Sequence, residues 1–190
     1  MKRSEINETV NRAAAFFQKN GWTLPPNPRW DVTDFGLGNF NSTGLVLVNL
    51  AEEAEYCEKL MYCRNNQVTP AHTHKKKKED IICRNGLLII QLWTQDPLTD
   101  SRGQLMTVKR NGVFHVLQSG EIISLTSGER ITIEPGIWHS FYGGSPECII
   151  GEVSTANDDV NDNIFSDERI GRFSTILEDV PPLIKLVNDN

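Results

Sequence analysis

Residues 70–86 read PAHTHKKKKEDIICRNG, which places three potential metal ligands within eight positions. His72 and His74 are two positions apart, so on one β-strand their side chains point to the same face. Glu79 follows His74 by five positions, and it can join that face only if the chain turns or bulges within the lysine run 75–78. The stretch therefore predicts a strand, a turn and a second strand that bring two imidazoles and a carboxylate together.

A further ligand comes from a distant part of the chain. His139 lies in EPGIWHSF, residues 134–141, and only tertiary structure can bring it to His72 and His74. Three neutral imidazoles and one carboxylate suit a divalent transition metal and leave room for exchangeable ligands. A small β-barrel brings such strands together around its mouth.

Short apolar segments separated by turn signals fill the middle of the chain. Asn85-Gly86, Asn111-Gly112 and Ser127-Gly128 are each predicted to form a β-hairpin, and Asn85-Gly86 is the strongest of these signals because both of its positions tolerate positive φ. The predicted strands are 45–50, 56–63, 81–84, 87–93, 105–109, 113–117 and 148–153. This pattern indicates an antiparallel sandwich or barrel rather than alternating βα units.

The N-terminal region has a different pattern. Apolar residues at helical spacing predict a helix over 4–20, with Ser4 as its N-cap and Asn20-Gly21 as its end. The LPPNP stretch, 24–28, reads as an extended connector. Residues 30–40 are predicted to form a loop that carries aromatic anchors.

The bulk composition fits one soluble domain. The chain has 190 residues, 38% of them hydrophobic, and a net charge of −6, so nothing favours nucleic acid or an anionic membrane as a partner. No apolar run approaches the roughly 18 residues of a spanning helix. Four cysteines without a paired CxxC pattern are expected to be reduced and buried, which predicts a cytoplasmic protein.

The ligand pattern resembles the two motifs of the cupins. The first motif, His-x-His, three or four residues, Glu, six residues, Gly, is matched by His72, His74, Glu79 and Gly86. The resemblance implies an all-β, cupin jelly-roll-like β-barrel with an N-terminal helical extension. The single domain 1–190 would divide into a helix and loop extension (1–40), a barrel core (41–155) and a C-terminal wrap (156–190).

The second cupin motif is matched at Gly128, Gly136 and His139. Glu134 and Gly143 stand where this motif usually has Pro and Asn. Asn66 replaces the usual Gly six positions before the first His, which affects the preceding turn but no ligand.

A closer resemblance covers most of the chain. The segments WDVTDFGLGNF, EKLMYCRNNQVTPAHTH, KKEDIICRNG, PGIWHSF and GEVSTANDDVNDNIF are similar to those of the cupin-type D-lyxose isomerases. This implies a metal-dependent sugar isomerase that interconverts D-lyxose and D-xylulose, and also D-mannose and D-fructose, through a cis-enediol. It further implies Mn²⁺, or another divalent transition metal, and a homodimer.

The resemblance also suggests roles for individual residues. Glu79 is occupied as a ligand, so Glu152 is the expected proton-transfer base. Lys77 is expected to hold a developing enediolate oxygen, and Lys59 is a second candidate of that kind. The expected substrate-binding residues are Lys59, the aromatic neighbours of His139 and two acidic residues of the polar loop 157–163, namely Trp138, Phe141, Asp158 and Asp162.

Three other functions fit the same ligand set. A phosphosugar isomerase would use the lysine run 75–78 with Arg84 to bind phosphate. A cupin dioxygenase also uses a four-ligand shell. A non-enzymatic cupin would bind a sugar or a metal in the same pocket without proton exchange. His115 is interpreted as a core or interface histidine rather than a ligand.

Overall fold

The computed structural model describes residues 1–101, 103–155, 158, 161–171, 174–187 and 189. Within them, one helix precedes a series of strands. The elements are α1 (Arg3–Lys19), β1 (Arg29–Thr33), β2 (Leu45–Glu52), β3 (Tyr56–Arg64), β4 (Val68–His74), β5 (Glu79–Asn85), β6 (Leu87–Trp93), β7 (Leu105–Arg110), β8 (Val113–Gln118), β9 (Ile122–Thr126), β10 (Arg130–Ile133), β11 (Trp138–Gly143), β12 (Glu147–Thr155) and β13 (Asn163–Phe165).

The strands form two antiparallel sheets. The larger sheet has the order β1-β2-β3-β12-β5-β10-β7-β8, and the smaller has the order β13-β4-β11-β6-β9. Apolar side chains from both sheets pack together between them, including Met61 and Ile81 from the larger sheet and Ile90 and Phe141 from the smaller. The fold is thus the expected all-β, jelly-roll-like barrel.

Helix α1 packs on the outer face of the larger sheet. Its buried residues include Ile6 and Phe17, which join Trp30 and Tyr62 in a second apolar cluster. The rings of Phe17 and Trp30 stack with centroids 6.1 Å apart. No helix among the described residues is long and apolar enough to cross a membrane.

Two N-terminal predictions are corrected. The helix begins at Arg3 with Lys2 as its N-cap, and the Ser4 hydroxyl donates to Asp179 instead of capping the helix. Residues 29–33, predicted in part as loop, form β1 and pair with β2. Side chains on β1 alternate between the two faces of the larger sheet, with Trp30 toward the helix and Asp31 toward the barrel interior. This alternation is short, and the glycines that follow it favoured the prediction of a loop.

Only one of the three predicted hairpins is a hairpin. Asn111 (φ 51°) and Gly112 (φ 84°) join the paired strands β7 and β8. Asn85-Gly86 instead connects β5 of the larger sheet to β6 of the smaller, and Ser127-Gly128 connects β9 to β10 in the same way. The turn residues determine the local reversal but not the sheet that the next strand joins.

Asn66 adopts a left-handed backbone conformation at the position where the cupin motif usually has glycine. Its φ is 57°, in the left-handed region that Asn tolerates better than most side chains. Its N–H donates to the carbonyl oxygen of Gly143 over 2.9 Å, which fixes the turn before β4.

The sheets extend beyond the proposed barrel core 41–155. Strand β1 precedes this range and pairs with β2, and β13 follows it and pairs with β4. All four cysteines, Cys57, Cys63, Cys83 and Cys148, are free and buried.

Candidate active site

The smaller sheet brings three histidines together. His72 and His74 lie on β4, two residues apart, and His139 on β11 stands directly opposite His72 in the strand register. The ring centroids of His72 and His139 are 4.1 Å apart, and those of His72 and His74 are 5.2 Å apart. One ring nitrogen from each histidine lies within 4.8 Å of the others, close enough to hold one metal ion.

Glu79 reaches this cluster from the larger sheet. It is the first residue of β5, and its Oε1 atom lies 2.8 Å from His139 Nε2 and 3.5 Å from His74 Nε2. The predicted turn over 75–78 lies between His74 and Glu79, and the carboxylate of Asp162 accepts the N–H groups of Lys76 (3.0 Å) and Lys77 (2.9 Å). Asp162 therefore holds the turn rather than lining the pocket.

The cluster has the properties of a metal site. Both ring nitrogens of His74, Nε2 of His139 and Oε1 of Glu79 are buried without a well-oriented hydrogen bond, although His139 Nε2 and Glu79 Oε1 are only 2.8 Å apart. Buried polar atoms are rarely left so, because each one costs free energy. Here several of them converge from two sheets, and a divalent cation would satisfy them together. The four residues named from the sequence fit such an ion.

The Nδ1 atoms of His72 and His139 each lie near a backbone carbonyl oxygen. His72 Nδ1 lies 2.8 Å from the oxygen of Pro70, and His139 Nδ1 lies 3.3 Å from the oxygen of Ile137. A ring that donates through Nδ1 keeps Nε2 available as a ligand, which is the usual arrangement of metal-bound histidines.

The charge states of two of these residues favour a cation. Burial, together with His139 and His74, holds the pKa of His72 well below its ordinary value, so this ring stays neutral. Burial would raise the pKa of Glu79, but Lys77 and His139 hold that pKa well below its ordinary value. A neutral imidazole and an ionised carboxylate are the forms that bind metal.

A second carboxylate lies beside the cluster. Glu152 on β12 stands opposite Lys59 on β3, and its Oε1 atom is 3.4 Å from Lys59 Nζ and 3.1 Å from Lys77 Nζ. Lys77 Nζ also lies 3.0 Å from Glu79 Oε2, so it bridges the two glutamates. The hydroxyl of Ser154 donates to Glu152 Oε1 over 3.2 Å.

These buried charges stabilise one another. Burial would lower the pKa of Lys77, but the charges of Glu152 and Glu79 raise it above its ordinary value. Burial would raise the pKa of Glu152, but Lys59 and Lys77 lower it. The geometry therefore offers an ionised carboxylate, able to accept a proton, next to two ammonium groups and a metal site.

These groups face one pocket inside the barrel. It is lined by all four candidate ligands and by four of the other residues expected from the sequence, namely Glu152, Lys77, Lys59 and Phe141. Trp138 alternates with His139 on β11, and the pocket lining does not include it. Asp158 is exposed and also lies outside that lining. Asn157, Asp159 and Val160 of the polar loop lie outside the described residues.

Sequence reasoning missed one wall of the pocket. This wall consists of residues from β1, the turn after it and β13, namely Asp31, Thr33, Phe35, Asn163 and Phe165. The rings of Phe35 and Phe165 meet edge to face at 5.6 Å, and Phe165 lies 5.5 Å from the ring of His72. The alternation of Trp30, Asp31, Val32 and Thr33 was the signal that could have placed Asp31 and Thr33 on an inner face.

Known proteins resemble this chain over most of its length. Residues 27–190 match the family model described as D-lyxose isomerase. The chain is 35% identical to a D-lyxose/D-mannose isomerase of Escherichia coli O157:H7, an alignment that covers 100% of this chain and 98% of that one. It is 33% identical to a D-lyxose ketol-isomerase of Cohnella laeviribosi, with 93% and 98% covered.

Solved structures with a similar fold include an L-ribose isomerase. The Cellulomonas parahominis enzyme, crystallised with L-ribose, superposes with a TM-score of 0.70 over 93% of this chain and 98% of that one. The sequence identity is 16%, so the likeness concerns the fold.

Proposed function

The chain belongs to the D-lyxose isomerase family, and from this we propose that it is a metal-dependent isomerase of D-lyxose and D-xylulose, and of D-mannose and D-fructose. The observation that carries the proposal is the set of buried, unsatisfied ligand atoms of His74, His139 and Glu79, which face one pocket with Glu152.

The metal would be held by the three histidines and Glu79. Manganese is the ion that the resemblance implies, and the donor set also suits other divalent transition metals. When bound, such an ion supplies a Lewis acid that polarises the sugar carbonyl and stabilises charge on its oxygens.

Glu152 is proposed as the proton-transfer base. Its carboxylate takes the proton from C2 of the aldose and returns it to C1, while a second proton passes from O2 to O1, so that a cis-enediol lies between the two sugars. Lys77 donates to the oxygen on which charge develops.

The charges in the pocket favour a neutral sugar over a phosphosugar. Lys75, Lys76 and Lys78 are exposed, and the Arg84 guanidinium lies 5.5 Å from the Trp22 ring, outside the pocket lining. Among the described residues, the lysines that line the pocket are Lys59 and Lys77, and both contact Glu152. A phosphate group would have to compete with that carboxylate for both lysines.

A cytoplasmic homodimer is part of the same proposal. Four buried, free thiols suit a reducing compartment. Strand β8 is the edge of the larger sheet, and Val113, Phe114 and Val116 on it are exposed. A second copy of the chain would cover these apolar side chains and the open strand edge.

The test is NMR of manganese-loaded protein with D-lyxose or D-mannose in D₂O, beside a sample stripped with EDTA. We expect formation of the ketose only with metal, with deuterium from solvent on carbon. If the loaded protein converts neither sugar, the proposed function is wrong. Conversion without deuterium would still support isomerase activity. It would contradict the expectation that the transferred proton exchanges with solvent.

A further inference from the structure

We propose that Ser154 is a positioning residue for the base: its hydroxyl holds Oε1 of Glu152, and Oε2 is the oxygen that exchanges the proton with the sugar. The inference rests on the proposed function and deepens it, because it gives the two oxygens of Glu152 different tasks. It also adds a residue that belongs to neither ligand motif and lies outside the pocket lining.

Strand β12 holds Ser154 rigidly beside Glu152. The two residues are two positions apart, so their side chains point to the same face, and both are buried. β12 is paired with β3 on one side and with β5 on the other. Its backbone therefore cannot shift without breaking hydrogen bonds on both sides. In the pairing with β5, Ser154 stands opposite Glu79.

Within the described part of the chain, the polar contacts of the Glu152 side chain meet one oxygen. Oε1 accepts from Ser154 Oγ over 3.2 Å and from Lys77 Nζ over 3.1 Å. Lys59 Nζ lies 3.4 Å from the same atom. A carboxylate oxygen has about two acceptor sites, so the two hydrogen bonds occupy Oε1. The proton from C2 is therefore expected on Oε2.

The hydrogen bond from Ser154 suits both protonation states of the base. Lys77 is attracted by the charge of Glu152, and this attraction falls when Oε2 takes the proton. A protonated carboxyl group still has an acceptor oxygen, so the neutral hydroxyl can donate to Oε1 before and after the transfer. Lys77 also contacts Glu79 and has a proposed task at the sugar oxygen. Ser154 is thus suited to hold the carboxyl group throughout the reaction.

The orientation of the Glu152 carboxylate matters because it must serve two carbon atoms. Oε2 accepts the proton as the C2–H bond breaks and returns it as the C1–H bond forms, while the O2 proton passes to O1. A glutamate side chain has several rotatable bonds, and a misplacement of about 1 Å can cost about 10²-fold in rate. A hydrogen bond that fixes one oxygen also fixes the direction of the other.

The first test compares Ser154→Ala with wild type on D-lyxose and on D-lyxose deuterated at C2, with manganese-loaded protein. Because Ser154 does not line the pocket, we expect kcat to fall about 10-fold with little change in KM. The primary isotope effect on kcat should rise, since proton transfer becomes slower relative to the other steps. A raised KM with wild-type kcat would contradict the proposal, because it would mean that Ser154 acts on substrate binding.

A double-mutant cycle shows whether Ser154 acts through Glu152. In Glu152→Gln the side chain no longer takes the proton, so adding Ser154→Ala should leave the residual kcat unchanged. If the second substitution lowers kcat as much as it does in wild type, the hydroxyl does not act through the base.

Ser119→Ala is the matched control. Ser119 is also buried and donates to a carboxylate, Asp100 Oδ1, over 2.8 Å, but it lies outside the lining of the active-site pocket. This variant should keep the wild-type kcat and isotope effect. Ser154→Thr retains a hydroxyl and should keep most of the wild-type kcat, and a threonine variant as slow as Ser154→Ala would contradict the role of the hydroxyl.

Manganese content and melting temperature are measured on every sample, so that loss of metal or of folded protein is not counted as a loss of kcat. A wild-type protein inert on both D-lyxose and D-mannose would overturn the proposed function. An active wild type whose kcat is unaffected by Ser154→Ala would leave that function in place and overturn only the role of Ser154.

Discussion

Lys77 and Glu152 are joined inside the barrel, with Lys77 Nζ 3.1 Å from Glu152 Oε1, although they come from the turn after β4 and from β12. Lys77 also contacts Glu79, so one ammonium group connects a proposed metal ligand to the proposed base. The proposed metal ligand Glu79 and the proposed base Glu152 therefore belong to one connected network of charged side chains.

Glu152→Gln should lower kcat by at least about 10²-fold, since general base catalysis contributes roughly that much or more. The amide keeps the shape of the side chain but cannot take the C2 proton. The measurement is kcat for D-lyxose, with manganese content determined on the same sample. Full turnover with manganese bound would remove Glu152 from the reaction.

Lys77→Met should destabilise the metal-free protein by about 3 kcal/mol, because it leaves two buried carboxylates without their shared cation. Urea unfolding gives the change in the free energy of unfolding. Lys78→Met is the control, since Lys78 is half exposed and pairs with Glu134 at the surface. Equal effects of the two substitutions would contradict the network.

Removal of the metal should lower the melting temperature of wild type. An ion present at 100 times its dissociation constant stabilises a protein by about 2.7 kcal/mol. His139→Ala should lose this response to manganese, whereas His115→Ala, whose side chain is exposed on β8, should keep it. The check is a thermal scan with and without manganese. If His139→Ala retained the full shift, His139 would not be a ligand.

Acid should weaken the turn at Glu129, a residue outside the pocket lining. Hydrogen bonds from Thr126 and Arg110 lower the pKa of Glu129 from 4.5 to about 2. Because the pKa is lower in the folded state, Glu129 stabilises the protein above pH 4.5, and this contribution is lost as the pH falls from 4.5 toward 2.

Glu129→Gln should therefore lose less stability than wild type over that pH range. After allowance for solvent screening the difference is about 1 kcal/mol. Urea unfolding at pH 5 and at pH 2.5 measures it. Glu53→Gln, at an exposed position, serves as the control and should follow wild type. Parallel pH profiles of Glu129→Gln and wild type would contradict the assignment.

Val116→Lys should convert the proposed dimer to a monomer, because a charge would enter the apolar surface of the edge strand β8. Val116 is 66% exposed in the single chain, so the fold itself should keep its melting temperature. Light scattering after gel filtration gives the mass. A monomeric wild type, or a variant that stays dimeric, would exclude β8 as the interface.

The grouping of His72, His74 and Glu79 could be predicted because its information is local, whereas His139 joins them only through the pairing of β11 with β4. His72 and His74 share a face by strand parity, and the lysine run marked the turn before Glu79. The strand pairing could not be predicted in the same way. Asn85-Gly86 and Asn111-Gly112 have similar turn chemistry, yet only the second joins paired strands. Packing between the sheets, which no short segment encodes, makes that choice.

The wall of the pocket that β1 contributes was missed for a related reason. Asp31 is acidic and precedes a glycine-rich stretch, so the sequence predicted a loop at this position. It becomes an inner-face residue only once β1 pairs with β2. The prediction that Trp138 binds substrate failed for the opposite reason. On a strand, the side chain next to a ligand points to the opposite face.

The hydrogen bonds from the 75–78 turn to the Asp162 carboxylate have a consequence for protein engineering. Asp162 sits immediately before β13, whose Asn163 and Phe165 line the pocket, while the turn that it holds separates His74 from Glu79. A library that varies the connection between β12 and β13 to change sugar preference would thus also disturb the proposed metal site. Directed evolution of this enzyme would have to screen both traits together or keep Asp162 constant.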